Sequence, residues 1–333
     1  AWVVRGADGR SLRWEAPAMQ IDTADGQPLQ LGANTYPHAL VIRAREADPT
    51  QLDVINYLPL EEYLPGVLDR ELYRTWHPQA FVAQALAARS YALAQMDAHR
   101  HRDFDMEATT ASQVYGGLTT NPKALEAVRQ TRGQVLLFEG GVLPAYYSSC
   151  CGGTSQDAPA AFPNGPNLAP LRGMQRAEWC ADSPHQRWGP IVMERTHLAQ
   201  RLAAWGRAQR HAIASLQTIE QIVITARNQA GRPTGFVVTD GAGRHFGLRA
   251  EDFRFAAQFD APGLAPLPDQ ARIKSSHLEV VLTDAQAYFT GRGFGHGVGL
   301  CQWGAQGMAQ RGYNGAQIVR YFYPGADPRP TYR

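Results

Sequence analysis

Residues whose types and spacing could do chemistry fall in four places along this chain. The most concentrated is Gly291-Arg-Gly-Phe-Gly-His-Gly-Val-Gly-Leu-Cys-Gln-Trp-Gly-Ala305, where six glycines in fifteen residues surround His296, with polar Arg292 and Gln302 in the same run. Glycine is selected where φ must be positive or where backbone must approach something closely. The run therefore reads as one wall of a site, against the plainer reading of a tight loop whose histidine satisfies a buried hydrogen bond. The second place is Glu71, flanked by Leu72, Tyr73 and Trp76. Partly apolar surroundings raise a carboxyl pKa and keep it protonated near neutrality, as a general acid requires. A surface glutamate in a helix pair is the competing account.

The third place is the stretch holding Gln84, Arg89 and Tyr91, followed by Ser112-Gln-Val-Tyr115. Arg89 lies on an otherwise apolar helix face, and a buried guanidinium needs an anionic partner; Glu71 or Asp69 could supply it. A direct pair with Glu71 would lower that carboxyl's pKa and oppose an acid role, so Arg89 pairs elsewhere or orients Glu71 through an intermediary. The fourth place is Cys151-Gly-Gly-Thr154 with Cys180 and His185. Cys151, Cys180 and His185 could form a three-ligand zinc site with an open position. A Cys151–Cys180 disulfide is the simpler account in an oxidising compartment, leaving Cys301 a small buried thiol and Cys150 exposed.

These residues need elements to position them. Residues 1–58 alternate apolar and polar around turns such as Ala-Asp-Gly9 and Ala-Asp-Gly26, with strands at Leu40–Arg43 and Leu52–Ile55. Leu60 to Leu72 is a short helical stretch interrupted near Pro65 and Gly66. Pro78 opens an alanine-rich helix to about His99 whose stripe of Phe81, Ala85, Ala88 and Ala92, widened by Val82, Leu86 and Leu93, predicts burial. Lys123–Gln130 is a short helix, and Gln134–Phe138 with Val142–Tyr147 is a strand pair. Residues 155–190 are a long surface excursion, and a helix covers about 195–208. Strands resume at Gln221–Thr225, Gly235–Thr239 and His277–Leu282, and helices end the chain at about 303–311 and 315–321. Strands in runs, not in βαβ alternation, give a mixed α+β class with mainly antiparallel sheets.

Composition excludes several classes. With 333 residues, 44% apolar, the chain can bury a full core, and no apolar run approaches the roughly 20 residues a bilayer needs. Net charge is +2, from 32 basic and 30 acidic residues, so no nucleic-acid footprint is indicated. The chain opens on Ala1 without a signal-peptide pattern, so it reads as a mature or trimmed form.

Taken together, Leu60-Glu-Glu-Tyr-Leu-Pro-Gly-Val67 with Glu71, the segment His77 to Tyr91, Ser112-Gln-Val-Tyr115, Ser149 to Thr154, and Gly291 to Ala305 with Met308 and Tyr321-Phe-Tyr-Pro-Gly325 resemble the sporulation stage II protein D / LytB amidase-enhancer family. The motifs occur in the same order, over about residues 50–325. The resemblance implies a peptidoglycan lytic transglycosylase that cuts denuded glycan strands and leaves 1,6-anhydro-muramyl ends. The family's catalytic glutamate falls on Glu71. Substrate-binding expectations fall on Gln84, Arg89, Tyr91, Ser112, Gln113, Tyr115, Arg292, His296 and Gln302. A residue 1–58 β-rich segment would join a 59–333 catalytic domain carrying the 155–190 excursion and an α/β insertion at about 191–275.

One carboxylate suffices for this chemistry, because the muramyl C6 hydroxyl is the nucleophile and no water needs activating; hydrolytic glycosidases generally need two. No cofactor is required, and any zinc is expected to be non-catalytic. Relatives with zinc place its cysteines before the Ser112–Tyr115 motif, where this chain carries only His99 and His101. Expected partners are glycan strands and a cell-wall amidase, in an extracytoplasmic setting. The rival functions are a non-catalytic amidase enhancer or glycan-binding module, and a metal-dependent hydrolase.

Overall fold

A computed structural model describes residues 2–5, 9–23, 25–45, 48–176 and 179–332. Gly9 and Gly26 take positive φ as their turns require; Ala7, Asp8 and Ala24 of the same turns lie outside the described residues. Among the described residues the α-helices are α1 (Leu60–Glu71), α2 (Pro78–His99), α3 (Pro122–Gln130), α4 (Ala158–Ala161), α5 (Arg195–Gln209), α6 (Ala250–Ala257), α7 (Gln302–Gln310) and α8 (Gly315–Phe322). Small sheets, nearly all antiparallel, accompany them, so the chain is α+β. No helix among the described residues is long and apolar enough to cross a membrane. The chain divides into two compact units, 1–75 with 92–132, and 76–91 with 133–333.

In the first unit, Ala18–Ile21, Leu40–Arg45 and Asp48–Asn56 form a three-stranded antiparallel sheet, with Leu40 opposite Ile21 on one side and Asn56 on the other. α1 runs without a break through Pro65. A proline in the second turn removes only one backbone bond, and burial outweighs that loss: Leu64, Val67 and Leu68 are fully enclosed. Gly66 serves packing, since a Cβ there would run into the Tyr115 ring and the Gly117 carbonyl. α1 stops where Leu72 turns extended, leaving Glu71 as its last helical residue. α3 opens with Asn121, whose side chain accepts from the Lys123 N–H (3.1 Å), and with Pro122 at its first position.

In the second unit, the first part of α2 is internal as its composition predicts: Phe81, Ala85 and Ala88 are fully buried and Leu86 nearly so. The 191–275 region builds a core of its own with neighbouring strands. α5 and α6 pack on Trp188–Glu194, Leu278–Leu282 and Gln286–Gly291, and on Gln221–Arg227, Pro233–Thr239 and His245–Arg249, with Phe236 stacked on Phe253 at 4.6 Å. Three of those strands and α6 carry no signal the sequence reading used. α8 is closed by a capping box, Asn314 with Gln317.

Two further segments differ from expectation. Val142–Tyr147 is not one strand: Gly141–Val142 pairs with Gln134–Phe138, whereas Tyr147–Ser148 runs parallel to Leu300–Cys301. The second pairing wins because it joins two buried segments. The 155–190 excursion is tied down, with Leu171 and Cys180 buried and Ser155 N–H and Arg176 N–H donating to the Met174 (3.0 Å) and Gly153 (2.9 Å) carbonyls.

Candidate active site

Glu71 is half-buried, and its Oε1 accepts the Val114 N–H at 3.1 Å. The Ser112–Tyr115 segment thus reaches the carboxylate through its backbone. Its side chains hold that backbone in place. Tyr63 donates from its hydroxyl to Gln113 Oε1 at 3.2 Å, and its ring lies 4.8 Å from that of Tyr115. Tyr115 donates to Asn56 Oδ1 at 3.3 Å, and Ser112 Oγ accepts the Glu107 N–H at 3.2 Å. Gln113 and Tyr115 are almost wholly buried, so they shape the wall behind Glu71. Burial pushes the Tyr115 hydroxyl well above the ordinary phenol range, which keeps it a donor.

Asp69, two residues before Glu71, is used differently. It accepts from Arg74 (2.6 Å), Thr119 (2.7 Å) and Asn121 (2.8 Å). Burial pushes its carboxyl up, but these three hydrogen bonds outweigh burial and hold it below the usual carboxylate value. It fastens α1 to the start of α3 as an anion, which leaves Glu71 as this region's candidate acid.

Within the second unit, Gln84 and Arg89 on α2 are fully buried. Arg89 Nη1 donates to the Ala85 (3.4 Å) and Gln134 (3.3 Å) carbonyls. Tyr91 meets the ring of Tyr146 edge-on at 5.6 Å.

The glycine run has a regular conformation. Gly293, Gly295, Gly297 and Gly299 take φ of 79°, 94°, 77° and 69°, so every second residue occupies the left-handed region that L side chains avoid. The neighbour the missing Cβ makes room for is the protein itself. At Gly297 it would strike the Arg232 guanidinium, and at Gly299 the Tyr146 carbonyl. The loop lies on the Tyr147–Thr154 segment: Cys150 and Phe294 exchange N–H···O bonds of 3.1 and 2.8 Å, and Gly297 N–H donates to Ser148 Oγ at 3.1 Å. Two motifs about 150 residues apart are thereby one surface.

His296 Nδ1 accepts the Val298 N–H at 3.0 Å, so the neutral ring carries its proton on Nε2. Burial lowers its pKa to about 4, reinforced by Arg232 and Arg254 and opposed by Glu251 and a bond to the Tyr147 backbone. Phe162 contacts the ring edge-on at 4.9 Å. A histidine with a lowered folded pKa binds its proton more readily in the unfolded chain. Stability is therefore expected to be fully present above about pH 6.5 and to fall as pH drops toward about 4. Urea unfolding at stepped pH checks this, and His296→Gln should flatten the slope in that window. Arg292 is half-buried, and Gln302, the first residue of α7, is nearly buried.

Arg232 is the residue that sequence reasoning missed. It is fully buried, donating from Nη1 to the Thr154 carbonyl (3.1 Å) and from Nη2 to the His296 carbonyl (3.1 Å). Buried Glu251 balances the charge nearby, accepting from Ser276 Oγ (2.6 Å) and Arg254 Nε (2.8 Å). A lone arginine between Gly231 and Pro233 gives no local sign of this role.

All four cysteines are free thiols and buried, Cys150 included. Cys151 and Cys180, offered above as a disulfide, have Sγ atoms 4.0 Å apart. His185 sets its ring edge against Phe294 at 4.8 Å; the potential ligand group with Cys180 consists of Cys150 and Cys301.

The Stage II sporulation protein (SpoIID) family matches residues 48–138. The chain is 30% identical over 278 residues to an uncharacterized protein of Brachyspira hyodysenteriae, covering 82% of this chain and 67% of that one. It is 27% identical over 292 residues to Stage II sporulation protein D of Bacillus amyloliquefaciens, covering 82% and 75%. Against the amidase enhancer of Bacillus subtilis it is 24% identical over 287 residues, 79% of this chain but only 39% of that longer protein.

Proposed function

Because the chain belongs to the Stage II sporulation protein D and LytB family, we propose that it acts on the cell wall outside the cytoplasm, as a lytic transglycosylase cutting peptidoglycan glycan strands. The observation that supports this most is the half-buried Glu71 carboxylate at the end of α1, fixed by the Val114 N–H of a second family motif. In this reading protonated Glu71 gives its proton to the glycosidic oxygen as the C1–O bond breaks. The muramyl C6 oxygen then bonds to C1, and its proton returns to Glu71. No water is consumed, so a single carboxylate completes the cycle. His296, with Nδ1 already engaged by the Val298 N–H, holds the glycine run's shape.

Digestion of denuded glycan strands in water enriched in heavy oxygen, followed by mass spectrometry, tests the reading. Anhydro-ended products without label are expected. Labelled reducing ends would replace it with hydrolysis. A second reading rests on the relative named amidase enhancer: stimulation of a cell-wall amidase with intact glycan strands as the outcome would favour it.

A further inference from the structure

The four buried thiols lie outside the glycan chemistry and come from three separate segments: the vicinal Cys150–Cys151, Cys180 in the 155–190 region, and Cys301 at the start of α7. Cys150, Cys180 and Cys301 place their sulfurs within 4.8 Å of one another, and Cys151 Sγ is 4.0 Å from Cys180 Sγ. The mutual spacings of Cys150, Cys180 and Cys301 fit one ion; Cys151 stands outside that group and approaches it through Cys180. Four sulfurs held tetrahedrally at a zinc–sulfur distance of ~2.3 Å stand about 3.8 Å apart, whereas a disulfide needs ~2.05 Å. We propose that Cys150, Cys151, Cys180 and Cys301 form a four-thiolate site for a zinc-class divalent cation.

The surroundings suit thiolates. Cys301 Sγ accepts the Cys151 N–H at 3.2 Å and the Gly304 N–H at 3.3 Å, the latter from the first turn of α7, whose N-cap is Cys301. N–H donors to sulfur and the positive end of a helix both stabilise the anionic form. Arg232 adds buried positive charge, its Nη1 donating to the Cys151 carbonyl at 3.4 Å. Arg176, nearly buried, caps the end of α8 through the Tyr321 (2.6 Å) and Phe322 (3.1 Å) carbonyls and exerts a favourable charge interaction with Cys151 and Cys301. Loading releases one proton for each thiol not already ionised.

Four protein ligands leave no open position, so the ion is structural. It would clamp the Ser149–Thr154 motif, the 155–190 segment and the end of the glycine run to one point. The site is argued independently of the reaction assigned to Glu71.

The test is metal content and ligand type in the intact protein. Purified without chelator, it should carry one zinc per chain, and four thiols should become titratable only on denaturation with a chelator. Cobalt-exchanged protein should show sulfur-to-cobalt charge-transfer bands of four-thiolate intensity together with strong tetrahedral visible bands. Cys180→Ser should lose the ion. Because that variant could misfold, the cobalt spectrum of the unmutated chain decides independently. Two disulfides without metal, or a cobalt spectrum lacking four-thiolate charge transfer, would overturn the proposal.

Discussion

Glu71→Gln is expected to slow release of anhydro-ended products by about 10²–10⁴-fold, the range a positioned acid–base group supplies, with the fold intact. Glutamine is isosteric and keeps an oxygen that can accept the Val114 N–H, so the 3.1 Å contact survives. Thermal stability should shift by no more than ~0.5 kcal/mol, as for a substitution that opens no cavity. What disappears is the proton. An amide can neither protonate the glycosidic oxygen nor accept the proton of the C6 hydroxyl, so both halves of the cycle fail together and the loss appears in kcat. Asp69→Asn is the matched control. Asp69 is bound to Arg74, Thr119 and Asn121, so its loss should lower stability through the α1–α3 connection. Product formation at an undiminished rate by folded Glu71→Gln would end the assignment, and amidase stimulation surviving in that variant would transfer the function to recruitment.

Arg232→Met should cost about 3–5 kcal/mol of stability, the range for removing one member of a buried charged network. The guanidinium is fully buried and donates to the Thr154 and His296 carbonyls. Methionine fills part of the volume but leaves these acceptors without their donor and deprives Glu251 of a nearby positive charge. Arg254 and Ser276 still contact Glu251, which limits the loss. Urea unfolding midpoints measure it, and adding Glu251→Gln should recover part of the deficit because the uncompensated charge is then gone. A loss below ~1 kcal/mol would show that the glycine run does not depend on this strut.

Helices were legible in proportion to the locality of their signals. α2 declares itself through Pro78 and its alanine-rich apolar surface, and α3 was expected over Lys123–Gln130, one residue short of its start at Pro122. Pro65 misled, because a backbone rule counts the lost hydrogen bond and not the buried Leu64, Val67 and Leu68. The Val142–Tyr147 run misled for a related reason: which strand Tyr147–Ser148 joins is settled by Leu300–Cys301, far along the chain. Glu71 as a candidate was legible from its neighbours and from the motif it follows. Val114 as its partner was not, since a backbone N–H carries no residue signature.

The sequence by itself determined the family, the α+β class, the carboxylate on which the chemistry is proposed to turn, and the need for positive φ along Gly293–Gly299, since each is written in local residue types and their order. Only the tertiary structure decided what those glycines accommodate, which is the Arg232 guanidinium and the Tyr146 carbonyl at the closest two positions. It also decided that four cysteines from three segments meet. The physical reason is the same in each case. Close approach and charge compensation here join residues from 19 (Arg232 and Glu251) to 153 (Tyr146 and Gly299) positions apart, and no local pattern encodes which distant atom will arrive.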